Sequence, residues 1–477
     1  MTPRRFPITF VLVGFILTCL VFLGWRAGGA SAARPMGQAD GRQAPAAAER
    51  DAHPALAQPQ PATGTIVRTL VYHEITALPV SVDTGGLQPR LSKNGNRALF
   101  IVPPESLNPR LRIVNFDGSG ERELDAAVQP AEFSLGIPDI SADGARIVYT
   151  QNFRGQNTIV DVGGNAGGDR KRVFAYHNGG SPGRARISGD GSTVFCDTSG
   201  SGGLFLPNGT QLRFGVHAFN AADGSYLRQV VTAEAIAQLF GLTPASLLHS
   251  DLALNSLSVS HNGGRIAFVV RVNGDHAAFS VNFDGTGLVS LLGSTLAEAR
   301  QGFVEVGISG DGLKVAYNLT KLDGTTETGV VAASGNQATR KILLSVPFNT
   351  VSPLPTGLPT RNGDLIELNT DGSILLLGST GVLADTVTND PEARFLQLAV
   401  GHGTSDINSA LVADGMPNAT MNGNATRFLY HSGNTNGVRQ LVTLEINPAN
   451  RAQSPAVSEP KTDPTFLLTG ARSEMTM

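Results

Sequence analysis

The chain has 477 residues, of which 16% are charged, and its formal net charge at pH 7 is −3. A protein that binds nucleic acid through the phosphates needs a basic face, so this balance argues against that class. With 56 glycines and a single tryptophan, the composition favours an all-β fold with many turns.

The chain begins with a segment typical of export. Arg4 and Arg5 precede an uncharged apolar run at residues 8–25, and the small residues "ASA" follow at 30–32. A signal peptide has an apolar core of about 7–15 residues, whereas about 20 apolar residues span a bilayer. Because this run lies between those lengths, residues 1–33 are interpreted as a signal peptide or an N-terminal membrane anchor. Both alternatives predict an exported protein, periplasmic or extracellular, that touches a membrane only through residues 8–25 if they are not cleaved.

The rest of the chain divides by composition into three parts. Residues 34–63 are rich in Ala, Pro and Gln without apolar periodicity, which is typical of a disordered linker. Residues 64–450 carry regularly spaced apolar segments and are predicted to form one folded domain. Residues 451–477 are predicted to form a C-terminal tail.

A ten-residue pattern occurs seven times in the folded part. The clearest copies are "ISADGARIVY" at Ile140, "ISGDGSTVFC" at Ile187 and "ISGDGLKVAY" at Ile308. Each predicts a β-hairpin, because Asp bonds nearby backbone N–H groups and Gly accepts a positive φ. The predicted structural turn residues are Asn94, Gly95, Asp143, Gly144, Asp190, Gly191, Asn262, Gly263, Asp311, Gly312, Asp371 and Gly372. In the seventh copy Ala425 replaces the glycine, which predicts a different turn there.

A second hairpin follows the first in several copies, as in "NFDGSGERELD" after the first copy and "NFDGTGLVSLL" after the fourth. Two hairpins make a four-stranded sheet, and a sheet that recurs roughly every 50 residues has the size of a propeller blade. Blades packed radially cover each other's apolar faces. The predicted fold is therefore an all-β propeller of four-stranded blades. Seven blades is the direct count, with six or eight as alternatives.

The last copy lacks a fourth strand. The segment "GTIVRTLVYHEIT" at 64–76 is predicted to close the ring as that strand, and "TFLL" near Phe466 is the competing candidate.

Because antiparallel strands alternate in direction, the turns within hairpins share one face and the connections between hairpins share the other. The second face carries the long segments 197–213, 232–251 and 345–363. The middle segment, between blades three and four, is predicted to form two short helices, starting at Thr232 and interrupted at Gly241. Long loops on a rigid scaffold often carry binding residues. Four histidines on this face are weak candidates for ligand contact: His177, His276, His402 and His431.

The sequence supports no catalytic or metal-binding motif. "GGSPG" at 179–183 matches the G-x-S-x-G nucleophile motif, but Pro182 follows the serine and has no N–H to offer an oxyanion. The histidines lack the spacing of metal ligands, and the Asp-Gly turns lack the alternating acidic residues of a calcium loop. We therefore expect no catalytic residue, no cofactor and no metal.

The turn motif S-x-D-G-x-x-I-x-F/Y, together with "NFDGSGERELD", resembles the repeats of the TolB-like, or WD40-like PD40, β-propeller family. The resemblance covers residues 87–447, with five good copies and two degraded ones at Leu368 and Met421. It implies a propeller with a partner-binding role in the cell envelope. TolB itself has an α/β domain before its propeller, which the linker here is too short to hold.

Together these features predict an exported, non-enzymatic and monomeric propeller that binds a protein, peptide or glycan partner. One alternative is a propeller enzyme of lyase or hydrolase type, with its active site at the mouth of the central channel. Another is an accessory propeller that controls access to a separate peptidase. An enzyme would need several titratable residues converging at that mouth. The predicted inner strands supply mainly Asp139, Arg184, Arg186 and Glu305.

Overall fold

The repeats fold into small antiparallel sheets, each built from consecutive hairpins. The computed structural model describes residues 60–61, 65–73, 89–102, 110–117, 119–124, 138–151, 156–161, 170–177, 185–198, 204–243, 252–272, 274–346, 366–378, 382–388, 395–397, 419–432 and 438–445. All of them belong to the unit Leu56–Met477. Their strands, numbered β1 to β31 in chain order, fall into seven sheets.

Five of these sheets have the predicted form of a blade, four strands paired antiparallel. In sheet order the first is β3 (Arg90–Leu91), β4 (Arg97–Val102), β5 (Arg110–Asn115) and β6 (Arg122–Glu123). The second is β11 (Ala185–Ile187), β12 (Thr193–Thr198), β15 (Gly215–Asn220) and β16 (Tyr226–Thr232). The third is β17 (Leu252–Val259), β18 (Arg265–Val272), β19 (Asp275–Asn282) and β20 (Val289–Ser290). The fourth is β21 (Phe303–Ile308), β22 (Lys314–Thr320), β23 (Thr326–Ala332) and β24 (Lys341–Val346). The fifth is β29 (Thr420–Met421), β30 (Arg427–Ser432), β31 (Val438–Glu445) and β2 (Thr65–His73).

The other two sheets contain additional strands. One holds β7 (Asp139–Ile140), β8 (Arg146–Gln151), β9 (Gln156–Asp161) and β10 (Arg170–His177), extended by the hairpin of β13 (Leu204–Phe205) and β14 (Gln211–Leu212). The other holds β25 (Ile366–Leu368), β26 (Ile374–Leu377), β27 (Val382–Asp385) and β28 (Phe395–Gln397), with β1 (Gln60–Pro61) parallel to β28. These extensions cover the unpaired backbone groups of an edge strand. The all-β propeller fold is confirmed, but seven uniform four-stranded blades are not, because five of the sheets have that form.

The sheets contact one another in chain order around a ring. Strand β3 packs beside β7, β11 follows β7, and the contacts continue through β17 and β21 to β25. The side chain of Glu367 on β25 accepts from the backbone N–H of Met421 on β29, and β29 packs against β3, which completes the ring. The core lies between neighbouring sheets, where faces such as that of Phe195 and Phe268 are fully buried.

Basic side chains at the start of several second strands also tie one sheet to the next. Arg97 Nη1 donates to Gly144 O at 2.9 Å, and Arg146 Nη1 donates to Gly191 O at 2.6 Å. The same bond joins the last sheet to the first, because Arg427 Nη1 donates to Gly95 O at 3.3 Å.

The predicted closing strand is confirmed. Strand β2 pairs antiparallel with β31, from Thr65 opposite Glu445 to His73 opposite Val438. The second described strand, β2, and the last, β31, therefore share one sheet. The competing segment near Phe466 lies outside the described residues.

The hairpin turns are built as their sequence predicts. The six turn glycines have φ between 65° and 77°. In the second copy Ser141 Oγ donates to Asp143 Oδ1 at 2.6 Å and accepts from Arg146 N at 2.9 Å. These local bonds satisfy the backbone where the chain reverses.

The prediction of a different turn at Ala425 is wrong. Ala425 has the same left-handed conformation, with φ 52°, and its N–H donates to Asn422 O at 3.1 Å as the glycines do. The side chain of Asn422 replaces the usual serine, with Oδ1 accepting from Arg427 N at 3.0 Å. The turn is kept because its hydrogen bonds offset the roughly 1 kcal/mol that an L residue loses at positive φ.

A short helix forms in the insertion between β16 and β17. Helix α1 (Ala233–Leu239) starts at Thr232, whose side chain accepts from Ala235 N, and Gly241 follows it with φ 66°. Its buried face packs into the core beside Phe268 and Phe279. The second helix predicted in this insertion falls largely on residues 244–251, which lie outside the described ranges.

Two more helical turns occur outside that insertion. Helix α2 (Leu296–Ala299) begins at a capping box of Thr295 and Glu298, and a 3₁₀ turn covers Gln337–Thr339. Among the residues that the structure describes, no helix has the length and apolarity needed to cross a membrane.

Candidate functional site

The residue that follows each turn serine or asparagine lies close to the axis of the ring. Backbone hydrogen bonds of 2.7 to 3.4 Å link these residues and their immediate neighbours from one sheet to the next, through the whole circle. We call this set the turn ring: Lys93, Ala142, Gly189, His261, Gly310, Thr370 and Gly423. Its small members leave room for the backbones to approach one another.

His261 extends across the opening of the turn ring. A Cβ added to Gly310 would lie 2.4 Å from His261 Nδ1, and one added to Gly423 would lie 3.5 Å from His261 Cε1. Gly310 is in the sheet next to that of His261, whereas Gly423 is in the sheet of β29, further round the circle. The imidazole therefore occupies the opening on this face.

The imidazole of His261 is held neutral. Burial lowers its pKa from 6.5 to about 4, and the nearby charge of Lys93 lowers it further, while Glu367 and Asp311 oppose these effects. The neutral imidazole of His261 therefore adds no positive charge near Lys93 and Glu367.

A group of charged and polar side chains lies beside the turn ring, on the first strands of three consecutive sheets. We call it the axial cluster: Arg90 on β3, Glu367 on β25 and Thr420 on β29, with Lys93 from the ring itself. Glu367 Oε1 lies 3.2 Å from Lys93 Nζ and 3.6 Å from Arg90 Nη1. Its Oε2 accepts from Thr420 Oγ1 at 3.0 Å and from Met421 N at 2.9 Å.

The carboxylate of Glu367 is ionised in this setting. Burial raises its pKa, but the charges of Lys93 and Arg90 and the two hydrogen bonds at Oε2 outweigh burial, so the net pKa is lowered. The axial cluster therefore combines two cations with one anion and keeps a net positive charge at neutral pH.

Other inner-strand polar residues join neighbouring sheets. Asp139 Oδ2 accepts from Ile187 N at 3.0 Å, and Arg186 Nε donates to Leu257 O at 3.1 Å. Asp139 and Arg186 occupy the same place in the repeat as Glu367, two residues before the turn serine or asparagine. Glu305 is partly buried on β21, and Arg184 lies outside the described residues.

Sequence reasoning missed Arg90, Lys93, His261 and Glu367 as a group. Lys93 and His261 stand at the variable position between the turn serine and the Asp or Asn, which the repeat pattern treats as free. Both residues occupy the same position of the repeat, and the backbone at this position bonds to the neighbouring sheet throughout the circle. No single stretch of sequence brings the four residues together.

The four candidate histidines are not brought together in the described part of the chain. His276 is 7% exposed, its Nδ1 lies 2.8 Å from Gly302 O, and its ring meets Phe303 edge-on. The backbones of His177 and His431 pair with Leu204 and Leu441, but their side chains lie outside the description, as does all of His402. Their role in ligand contact stays a prediction. Among the described residues, no group of three or more His, Cys, Asp or Glu side chains is placed to hold a metal ion.

One buried histidine, His217, and one partly buried histidine, His261, predict a loss of stability in mild acid. Burial lowers the pKa of His217 from 6.5 to about 4, although Arg213 O, 2.9 Å from Nε2, opposes the shift. The pKa of His261 is lowered to the same value. The unfolded chain therefore binds more protons, so the free energy of unfolding falls as pH drops from 6.5 toward 4, by roughly 3 kcal/mol for each histidine.

The measurement is urea unfolding at pH 7.5 and at pH 5. His217→Gln and His261→Gln should each reduce the difference between the two pH values, while His53→Gln, in the predicted linker, should leave it unchanged. Equal pH dependence in all four proteins would contradict the burial of these two groups.

Comparison with known proteins supplies similar architectures only. No protein-family model matches the chain, and no curated protein matches it significantly. Among solved structures, TolB from Acinetobacter baumannii is 12% identical, with 74% of this chain and 66% of that chain covered and a TM-score of 0.39. Oligogalacturonate lyase from Vibrio parahaemolyticus is 12% identical, with 82% and 100% covered and a TM-score of 0.47. The Dos1 propeller is 11% identical, with 75% and 78% covered and a TM-score of 0.41. These similarities are too weak to carry a functional argument, and the propeller assignment rests on the sheets of this chain.

Proposed function

We propose that this protein is an exported, non-catalytic β-propeller that binds a protein, peptide or glycan partner in the cell envelope or outside the cell. In this proposal each of the seven sheets is a blade, and the repeats are of the TolB-like PD40 type. The N-terminal segment supplies export to the periplasm or the cell exterior, either as a cleaved signal or as an anchor.

The observation that supports a scaffold is that polar side chains on the inner strands form hydrogen bonds between neighbouring sheets. Asp139 and Arg186 bond the backbone of the following sheet, and Glu367 bonds both the following sheet and the one after it. A catalytic acid or base needs its proton-carrying atom aimed at a substrate. These groups instead hold the sheets at fixed positions, which is what a rigid support for binding loops requires.

The binding surface in this proposal is the face opposite the turn ring. The turn face is uniform and closely bonded, whereas the connections between hairpins differ in length from sheet to sheet. Two of these connections offer less free surface for binding a partner than their sequences suggest. Residues 204–212 form the hairpin that extends the sheet of β10, and α1 is packed into the core. The segment 347–365, between β24 and β25, is therefore the first to test.

The experiment replaces residues 347–365 with a Gly/Ser linker of equal length. Wild type and variant are immobilised, exposed to envelope extract and compared by quantitative mass spectrometry, after circular dichroism has shown both to be folded. A matched control, Asp284→Ser with Thr286→Ser, changes an exposed hairpin turn on the opposite face. We expect one specific partner to be depleted by about tenfold or more with the loop variant, equivalent to about 1.4 kcal/mol of binding energy, and retained with the control.

Retention of the same partners by the loop variant would contradict the proposed surface. Turnover of a substrate by the wild-type protein would favour the propeller enzyme instead.

A further inference from the structure

The axial cluster has more positive charge and more hydrogen-bond donors than its own carboxylate uses. Arg90 is 7% exposed, and its Nε is buried without an acceptor among the described residues. Its Nη1 is 3.6 Å from Glu367 Oε1, which is longer than a hydrogen bond. A guanidinium carries five N–H donors, and among the described residues the Nε donor of this one has no acceptor.

Glu367 cannot move to become the missing hydrogen-bond acceptor of Arg90. Its Oε2 is held by Thr420 and by the backbone of Met421, and its Oε1 faces Lys93 Nζ at 3.2 Å. A shift toward Arg90 would lengthen these bonds. Arg90 and Lys93 against Glu367 leave the four residues of the cluster with one net positive charge, and the neutral His261 adds none.

The cluster can be reached by solvent. The side chain of Lys93 is 22% exposed and that of Glu367 is 13% exposed. The turn ring and the imidazole of His261 occupy the opening on the turn face. A small ligand would therefore approach from the opposite face, along the inner strands.

We infer that the axial cluster is a binding site for a carboxylate anion, with Arg90 and Lys93 as its ligands. A carboxylate matches the planar donor fork of arginine, and lysine adds a point charge beside it. Glu367 already shows that a carboxylate oxygen is accepted next to these two cations. The inference deepens the proposed function and rests on it only for the source of the anion, an acidic group of the bound partner.

The test is isothermal titration of the full-length folded protein with malonate at constant ionic strength, with neutral malonamide as the matched probe. We expect wild type to bind malonate and not malonamide. Arg90→Gln should weaken malonate binding at least tenfold. Glu367→Gln should strengthen it about tenfold, because the competing internal carboxylate is removed while one side-chain oxygen remains to accept from Met421 N. Arg112→Gln removes the ion pair between Arg112 on β5 and Glu121, which are not part of the axial cluster, and should leave the affinity unchanged.

Several outcomes would overturn the inference. They are no malonate binding by wild type, equal affinity in Arg90→Gln, and phosphate bound as tightly as malonate. If Arg90→Gln does not fold, Glu367→Gln decides, because unchanged or weaker binding there rules out competition at this site. Malonate binding without partner capture would contradict the proposed function and support the anion site.

Partner capture without malonate binding would contradict the anion site and leave the proposed function standing.

Discussion

A chain that begins at residue 74 is expected to lose the folded ring, with a melting temperature lowered by more than about 10 °C or no soluble product. This truncation removes β2, which pairs with β31 along the whole length of that strand. Without it, β31 becomes an edge with a row of unpaired backbone groups. At about 0.5–1.5 kcal/mol for each lost hydrogen bond, the sum is comparable with the whole stability of a typical domain, about 5–15 kcal/mol.

The matched control is a chain that begins at Gly64, which removes β1 and keeps β2. Strand β1 contributes only two residues to the edge of β28, so its loss should cost far less. Thermal melts by circular dichroism compare both truncations with a chain that begins at Leu56. Equal melting temperatures for the chains starting at 64 and 74 would show that β2 does not close the ring.

The second large effect is expected at Gly189 in the turn ring. A Cβ at this position would lie 2.4 Å from His261 O and 2.6 Å from His261 Cα, both backbone atoms. The methyl group of Gly189→Ala can be admitted only by separating the two turns, which breaks the bond from Asp190 N to His261 O at 3.1 Å. We expect the free energy of unfolding to fall by about 3 kcal/mol.

Gly310→Ala supplies the comparison, because the atoms nearest to its Cβ would all belong to the ring of His261, with Nδ1 at 2.4 Å. Removing that ring with His261→Ala should rescue Gly310→Ala and should not rescue Gly189→Ala. Urea unfolding of the single and double variants measures both couplings. Rescue of Gly189→Ala by His261→Ala would place the imidazole, and not the backbone, against Gly189.

The parts of the fold that could be predicted are those set by local bonds. Ser141, Asp143 and Gly144 make their turn almost entirely among themselves and the next few residues, so seven copies of the pattern locate seven hairpins. The closing strand is also predictable, because the last repeat lacks a fourth strand and an apolar segment before the first repeat belongs to no other sheet.

The remainder depends on contacts between distant residues. Nothing within "GLFLPNGTQL" shows that its hairpin extends the sheet of β10 and not its own sheet. The same holds for the axial cluster, where Arg90 and Glu367 are separated by most of the domain and meet only because the ring closes. Ala425 was misjudged for a related reason, since its turn is supported by the side chain of Asn422 and not by its own conformational freedom.

The pairing of β2 with β31 also determines how the ring responds to mechanical load. Thr65 lies opposite Glu445, so the chain enters and leaves this sheet at the same end. A pull between the two chain ends first separates β1 from β28, because β1 precedes β2 in the chain. The load then acts on the pair of Thr65 and Glu445, and the remaining pairs open one after another toward His73 and Val438. Opening in sequence requires less force than shearing all the pairs at once. If the N-terminal segment tethers the protein, tension on its C-terminal side would open the ring at this seam once β1 has separated from β28.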